Sequence, residues 1–285
     1  MLLWYVAPAL VAMREAIHAN LSICERTIHH MTSLERLADA VALAPEQTEE
    51  TTLDRSWLLG FDTETTGTFA GKDAIVSATL VLRNPEMGSE GDVVAEWLIN
   101  PHRPMNPRAS QINSFTDAYL QEHGQEPERA LSGLAAVITQ AQSKRIPLLA
   151  YNAPFDVHML NGDLRRWSLD TLDEREAADN TDYSLLVVDP LVLDRAVSRR
   201  SGRRNLASTT EYYGVEPQGD FHDATADTVA AVDLIGPMTT LYPQLGRLSM
   251  GELMDWQRQA HATWQESFNR WLQGRGRAPI HDSWL

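Results

Sequence analysis

Apolar and polar positions divide the chain into stretches of different period. Residues 1–43 read as helical, with Leu34, Leu37 and Val41 recurring at intervals of three and four. Pro45 and the polar run 46–52 then read as a linker. From Trp57 the period changes. Leu58, Leu59, Gly60 and Phe61 predict a short apolar strand that runs into Asp62-Thr63-Glu64, and strand-like runs follow at 74–82 and 93–99. The turn formers Asn84, Pro85, Gly88 and Gly91 separate these last two, so an antiparallel meander of three strands is expected.

Beyond Pro107 the pattern becomes helical, most clearly at 128–142, and short strands at 146–150 and 185–188 alternate with helices at 154–167, 190–198, 205–213 and 223–235. A meander followed by strand–helix alternation implies an α/β fold with a mixed five-stranded sheet flanked by helices. The tail 249–273 predicts a helix carrying Trp256, Trp264, Phe268 and Trp271 on one face, a stripe expected to dock as core. The expected organisation is a helical extension and linker at 1–54, a main domain at 55–242, and a helical tail at 243–285 packing on it.

Composition narrows the picture. In 285 residues, 43% hydrophobic and 22% charged positions exclude a disordered or fibrous chain. Cys24 is the single cysteine, which excludes a disulfide framework and a zinc–thiolate cluster. The apolar run 1–13 is shorter than the roughly 20 residues a spanning helix needs. It has no Lys or Arg ahead of it and is followed at once by Arg14 and Glu15, so a packed helix in a cytoplasmic protein without a membrane partner is expected. Lys and Arg number 24 against 39 Asp and Glu, a net charge of −15 that argues against broad adhesion to nucleic acid.

Three segments place acids at the ends of apolar runs. In Phe61-Asp62-Thr63-Glu64-Thr65-Thr66-Gly67, residues two apart in a strand share a face, so Asp62 and Glu64 present two carboxylates together. Tyr151-Asn152-Ala153-Pro154-Phe155-Asp156 puts Asp156 in the first turn of a helix. Phe221-His222-Asp223-Ala224-Thr225-Ala226-Asp227 opens another helix, with Asp223 expected as its cap. Taken singly, each acid reads as a cap or a solvated edge residue; the set of three, in this order, does not.

Together these segments resemble the three exonuclease motifs of the DEDDh (DnaQ-like) 3′→5′ exonuclease superfamily, over about 57–242. The resemblance implies an RNase H-like fold and a nuclease acting on single-stranded or frayed 3′ ends, DNA favoured, to release nucleoside 5′-monophosphates. Asp62, Glu64, Asp156 and Asp227 match its metal-binding acids, and His222, five residues before Asp227, matches its general base. Converging carboxylates call for hard divalent cations, and two Mg²⁺ or Mn²⁺ ions are implied. One departure is Ile112-Asn113-Ser114-Phe115-Thr116, where relatives often carry Ile-His-Gly-Ile-Thr.

Substrate contacts are expected at Thr63, Thr65, Thr66, Phe115, Asn152 and Phe155. The basic run Arg195, Arg199, Arg200, Arg203 and Arg204 opposes the global charge, with Arg203 and Arg204 expected on backbone phosphates. The alternative for this run is pairing with the acid-rich stretch 170–182. The expected partner is a single-stranded or 3′-terminal nucleic acid, and the terminal helices are a candidate docking surface for a polymerase or other replication or repair protein. The competing function is a non-catalytic module that keeps the fold for binding nucleic acid or a polymerase.

Overall fold

A computed structural model describes residues 31–179, 185–216 and 223–285. The expectations for 1–30, including the apolar run at the start, and for His222 lie outside the described residues. Elements follow in the order α1 (Ser33–Leu43), β1 (Leu58–Thr65), β2 (Ile75–Arg83), β3 (Val93–Leu98), α2 (Pro107–Asn113), α3 (Asp117–His123), α4 (Pro127–Ser143), β4 (Leu148–Leu149), α5 (Pro154–Arg166) and α6 (Leu172–Asp179). After them come β5 (Val187–Val188), α7 (Pro190–Val197), α8 (Leu206–Tyr213), α9 (Ala224–Asp233), α10 (Ile235–Leu241), α11 (Pro243–Gly246) and α12 (Met250–Gln273).

The strands form one sheet in the order β3-β2-β1-β4-β5, with β1, β2 and β3 antiparallel and β4 and β5 parallel to β1. The meander and the mixed five-stranded sheet are therefore as the sequence predicts. Two details differ. β1 carries the acids, as the sequence predicts, and continues one residue further to Thr65, because Asp62 to Thr65 keep their pairing with β2. β4 and β5 are only two residues each, shorter than their apolar runs, with two residues of each strand in register with its neighbour.

Alternation along the central strands sends side chains to two cores. Leu59, Phe61, Leu148 and Val187 join α1, α4 and α5 on one face, while Leu58, Leu149 and Val188 join α9, α10 and α12 on the other. α1 opens with a capping box, Glu35 N–H donating to Thr32 Oγ1 at 3.2 Å and Thr32 N–H to Glu35 Oε2 at 2.7 Å. Its Leu37 and Val41 are buried in the first core. Residues 46–52 are anchored rather than loose: the Gln47 side chain donates to the Arg145 carbonyl at 2.8 Å and accepts from Trp57 N–H at 2.7 Å. In α12 the buried positions are Met250, Leu253, Met254, Gln257 and Leu272. Trp264, Phe268 and Trp271 do not sink into the core as expected; they stack along the helix surface, with Trp271 45% exposed. Among the described residues no helix is long and apolar enough to cross a membrane.

α9 is held to β1 and β2 at three levels. Thr225 near its start bonds Thr79 Oγ1 at 3.0 Å and also Glu96. At its end Asp233 accepts from Arg83 Nη2 at 2.8 Å. Between them Gly60 lets the helix approach the strand, since a Cβ there would lie 2.5 Å from Val232 Cγ2 and 2.8 Å from Thr228 Cγ2. Both neighbours are β-branched and stiff in a helix, so they yield little. Gly60→Ala is therefore expected to destabilise the protein by about 1–3 kcal/mol, read as a lower urea midpoint; an unchanged midpoint would show that the seam is slack.

Candidate active site

Asp62 and Glu64 continue the Gly60 side of β1 and so face α9, whose first turn carries Asp227. Asp223 caps that helix, accepting from Thr225 and Ala226 N–H at 3.0 Å each, as the sequence predicts. The carboxylate oxygens of Asp62, Glu64 and Asp227 lie within 4.8 Å of one another, and all three residues are half-buried. The register of β1 on β2 shifts between Glu64 and Thr65, an irregularity of the kind that re-aims side chains at the rim of a sheet. Asp156, buried in the first turn of α5, accepts from the Thr63 hydroxyl at 2.7 Å.

Burial pushes the Asp62 carboxyl well above the usual carboxylate range, and the charges of Asp156, Asp227 and Glu64 add to it. Burial likewise raises Glu64 to about 7, with a hydrogen bond from Asn113 opposing and the Asp227 charge reinforcing. Asp156 is raised by burial and partly relieved by its bonds from Thr63. No arginine or lysine forms an ion pair with Asp62 or Glu64 among the described residues. An all-oxygen set of crowded, charge-disfavoured carboxylates fits a hard divalent cation.

The other expected contacts fall into distinct surroundings. Thr65 and Thr66 are buried: Thr65 Oγ1 donates to the Gly67 carbonyl at 2.6 Å, and Thr66 Oγ1 accepts from Ala74 N–H at 2.9 Å. Phe115 is half-buried near Val76, Met105 and Leu120 and stacks on Tyr119. Asn152 sits in the left-handed region at φ 66°, and Phe155 lines a cleft beside it. Arg203 is exposed. Arg204 and Arg200 pair with the buried Asp194, which also accepts from Tyr213 Oη at 3.0 Å. That local acid, not the stretch 170–182, is their ion-pair partner among the described residues.

Two participants escaped the sequence reading. Asn113, in the departing stretch, donates from Nδ2 to the Thr65 carbonyl at 3.3 Å and hydrogen-bonds Glu64. Asp189 is buried after β5; its carboxylate accepts from Asn152 N–H at 3.0 Å, Ala153 N–H at 3.1 Å, Leu191 N–H at 3.0 Å and Trp284 Nε1–H at 3.1 Å. It holds the turn that leads into Asp156. The helix start at Pro190 was legible in the sequence; the cap at Asp189 and its link to the Asn152 turn and to Trp284 were not.

With this geometry established, comparison with known proteins places the chain. The RNase_T exonuclease family model matches residues 59–235, more than half of the chain, and the protein belongs to that family. It is thus a member of the DEDDh, DnaQ-like superfamily of 3′→5′ exonucleases with an RNase H-like fold. A DNA polymerase III subunit epsilon-like protein of Rhodobacter capsulatus is 27% identical over 194 residues, covering 65% of this chain and 24% of that protein. Among solved structures, E. coli Exonuclease I in complex with a dT13 oligonucleotide has a TM-score of 0.53 at 21% identity, covering 67% of this chain and 42% of that one. Exonuclease I from Methylocaldum szegediense has a TM-score of 0.52 at 18% identity, with the same 67% and 42% coverage. The chain therefore corresponds to a quarter to less than half of the length of these relatives.

Two consequences can be measured. Glu64, raised from 4.5 to about 7, keeps its proton in the folded chain over a pH range where the unfolded chain has released it, so this cluster's contribution to stability falls as pH rises between those values. A bound cation removes that cost. Mg²⁺ is expected to raise Tm more at pH 8 than at pH 5, where protons compete, and Asp227→Asn is expected to abolish the difference; equal shifts at both pH values would contradict it. Trp284→Phe removes a donor from the buried Asp189 carboxylate and is expected to cost about 1–3 kcal/mol in chemical denaturation. A wild-type midpoint would show that this bond is not part of the support.

Proposed function

We propose that the protein is a metal-dependent 3′→5′ exonuclease that removes nucleoside 5′-monophosphates from single-stranded or frayed ends, with DNA as its preferred substrate. The observation that carries this is the group Asp62, Glu64 and Asp227, within 4.8 Å across β1 and α9, with Asp156 tied to the intervening Thr63. Family membership supports the reaction class, and the oligonucleotide bound to the E. coli structural relative supports a single strand of DNA.

Two divalent ions, Mg²⁺ or Mn²⁺, held here would polarise the phosphodiester and supply an activated water. Asp62, which neighbours the other acids, would hold these ions together with Glu64, Asp227 and Asp156. His222 is assigned the proton of the attacking water, a task suited to an imidazole near neutral pH. The water oxygen bonds to phosphorus and the bond from phosphorus to the penultimate 3′ oxygen breaks, and that oxygen takes a proton from solvent to become the new 3′ hydroxyl. Thr63 orients Asp156, and Asn113 orients Glu64. The epsilon-like name of the R. capsulatus relative favours a polymerase as protein partner over a stand-alone role.

The test is an assay of labelled single-stranded DNA, mismatched duplex and short RNA with Mg²⁺ or Mn²⁺. Stepwise shortening from the 3′ end is expected, lost in Asp227→Ala and reduced about 10²–10⁴-fold in His222→Ala, the usual worth of a general base. Endonucleolytic products, or cleavage that survives Asp227→Ala, would overturn the proposal.

A further inference from the structure

Beside the Asn152 turn lies a cleft of about 710 Å³. One wall is Asn152, Phe155 and His158, from the segment that carries Asp156; the facing wall includes Arg195, His261 and Trp264. The cleft therefore joins the start of α5, where Phe155 immediately precedes Asp156, to the C-terminal helix α12, beyond the 59–235 span of the family match.

Arg195 differs from the other arginines of its run. Its guanidinium lies 3.6 Å from the centroid of Trp264, and no carboxylate forms an ion pair with it among the described residues, whereas Arg200 and Arg204 are both engaged by Asp194. Arg195 Nε and His261 Nδ1 are buried and have no hydrogen-bond partner among the described residues. Buried polar atoms without partners are rare, and the Arg195 Nε–H, a donor, points to a missing acceptor. Trp264 is itself fixed, since it heads a column in which Trp264–Phe268 and Phe268–Trp271 stack at 5.3 and 5.5 Å with interplanar angles of 12° and 14°. The column braces one face of the guanidinium, and a planar guanidinium held on its face keeps its edge donors for an anion. Asp282 is the one acid in the lining, against Arg195 and three histidines, in a chain of net charge −15. A cation, imidazoles and aromatic rings in one groove suit phosphate and base together.

We propose that this cleft binds the stretch of single-stranded nucleic acid immediately 5′ of the terminal nucleotide, with Arg195 on a backbone phosphate and Phe155 against a base. The assignment rests on the exonuclease reading above and adds a strand path that involves the C-terminal helix. It makes Arg195, rather than Arg203 or Arg204, the phosphate contact of the basic run.

The experiment measures kcat/KM on single strands from two to about six nucleotides, the lower range of single-strand site sizes. For the wild type, kcat/KM is expected to rise with length. In Arg195→Ala and in Arg195→Gln, which keeps a planar group against Trp264, the hexamer-to-dinucleotide ratio should fall about tenfold, the loss of one charged contact. That fall should appear in KM, with a salt slope shallower by about 0.7. Arg129→Ala, an exposed arginine on α4, serves as the charge control and should keep the wild-type ratio. An equal loss at every length would make Arg195 merely structural, and an unchanged ratio would remove the cleft from binding; either overturns the proposal. Absence of hydrolysis by the wild type at all lengths would instead sink the exonuclease reading. Fluorescence anisotropy of a labelled hexamer then decides the cleft separately: unaltered affinity in both Arg195 variants refutes it.

Discussion

Carboxylates brought together away from water repel, and the central constraint on this protein is that its sheet forces Asp62, Glu64 and Asp227 to within 4.8 Å. The force that holds them is not electrostatic. It is the packing of α9 on β1 through Gly60, with Thr225 bonded at one end of the helix and Asp233 paired with Arg83 at the other. A helix pinned at three levels cannot swing away to relieve the repulsion, so the relief comes from protons or from cations. Close packing thus sets the charge state of the site, and the charge state sets what it binds.

The same molecule solves the problem of the buried acid in two other ways. Asp189, raised by burial, is relieved by N–H dipoles from Asn152, Ala153, Leu191 and the Trp284 indole. At Asp194 burial also acts upward, but the arginines around it prevail and the carboxyl sits below its ordinary value. Both are complete within the protein and act as structural joints, one fixing the Asn152 turn, the other the start of α8 through Arg204 and through Arg200, which donates to Thr209 Oγ1. Asp62 and Glu64 lack an arginine or lysine ion pair among the described residues. That contrast separates a site prepared for an external cation from acids that serve the fold.

These distinctions explain what could be read in advance. Short apolar runs from Leu58 onward, separated by turn formers, carried the sheet, and the offset of two between Asp62 and Glu64 carried their common face, because both signals are local in the chain. The cap at Asp223 was equally local. What stayed hidden depends on residues far apart in the chain: Trp284 is 95 positions from Asp189, and Asn113 is 48 from Thr65. The aromatic stripe of α12 was legible as a stripe, yet its hydrophobicity could not say whether core or another ring would cover it. Arg204 illustrates the same limit, since a basic run suggests phosphate until a buried aspartate within it is seen to claim two of its members.

Net charge is the property most changed by the three-dimensional arrangement. At −15 the chain repels a polyanion at long range, but that repulsion is screened over roughly 8 Å at physiological ionic strength. Affinity for a nucleic acid must then come from short-range contacts, and two arginines of the basic run, Arg200 and Arg204, are already engaged by Asp194. Arg83 and Arg166 are likewise held, by Asp92 and Asp233 and by Asp163. Under the proposed function, binding would concentrate at one chain end, where cations at the carboxylates and Arg195 in the adjacent cleft act within a few nucleotides of each other. An acidic surface then becomes a means of selecting ends: it discourages adhesion elsewhere while leaving the terminus as the place where attraction exceeds repulsion.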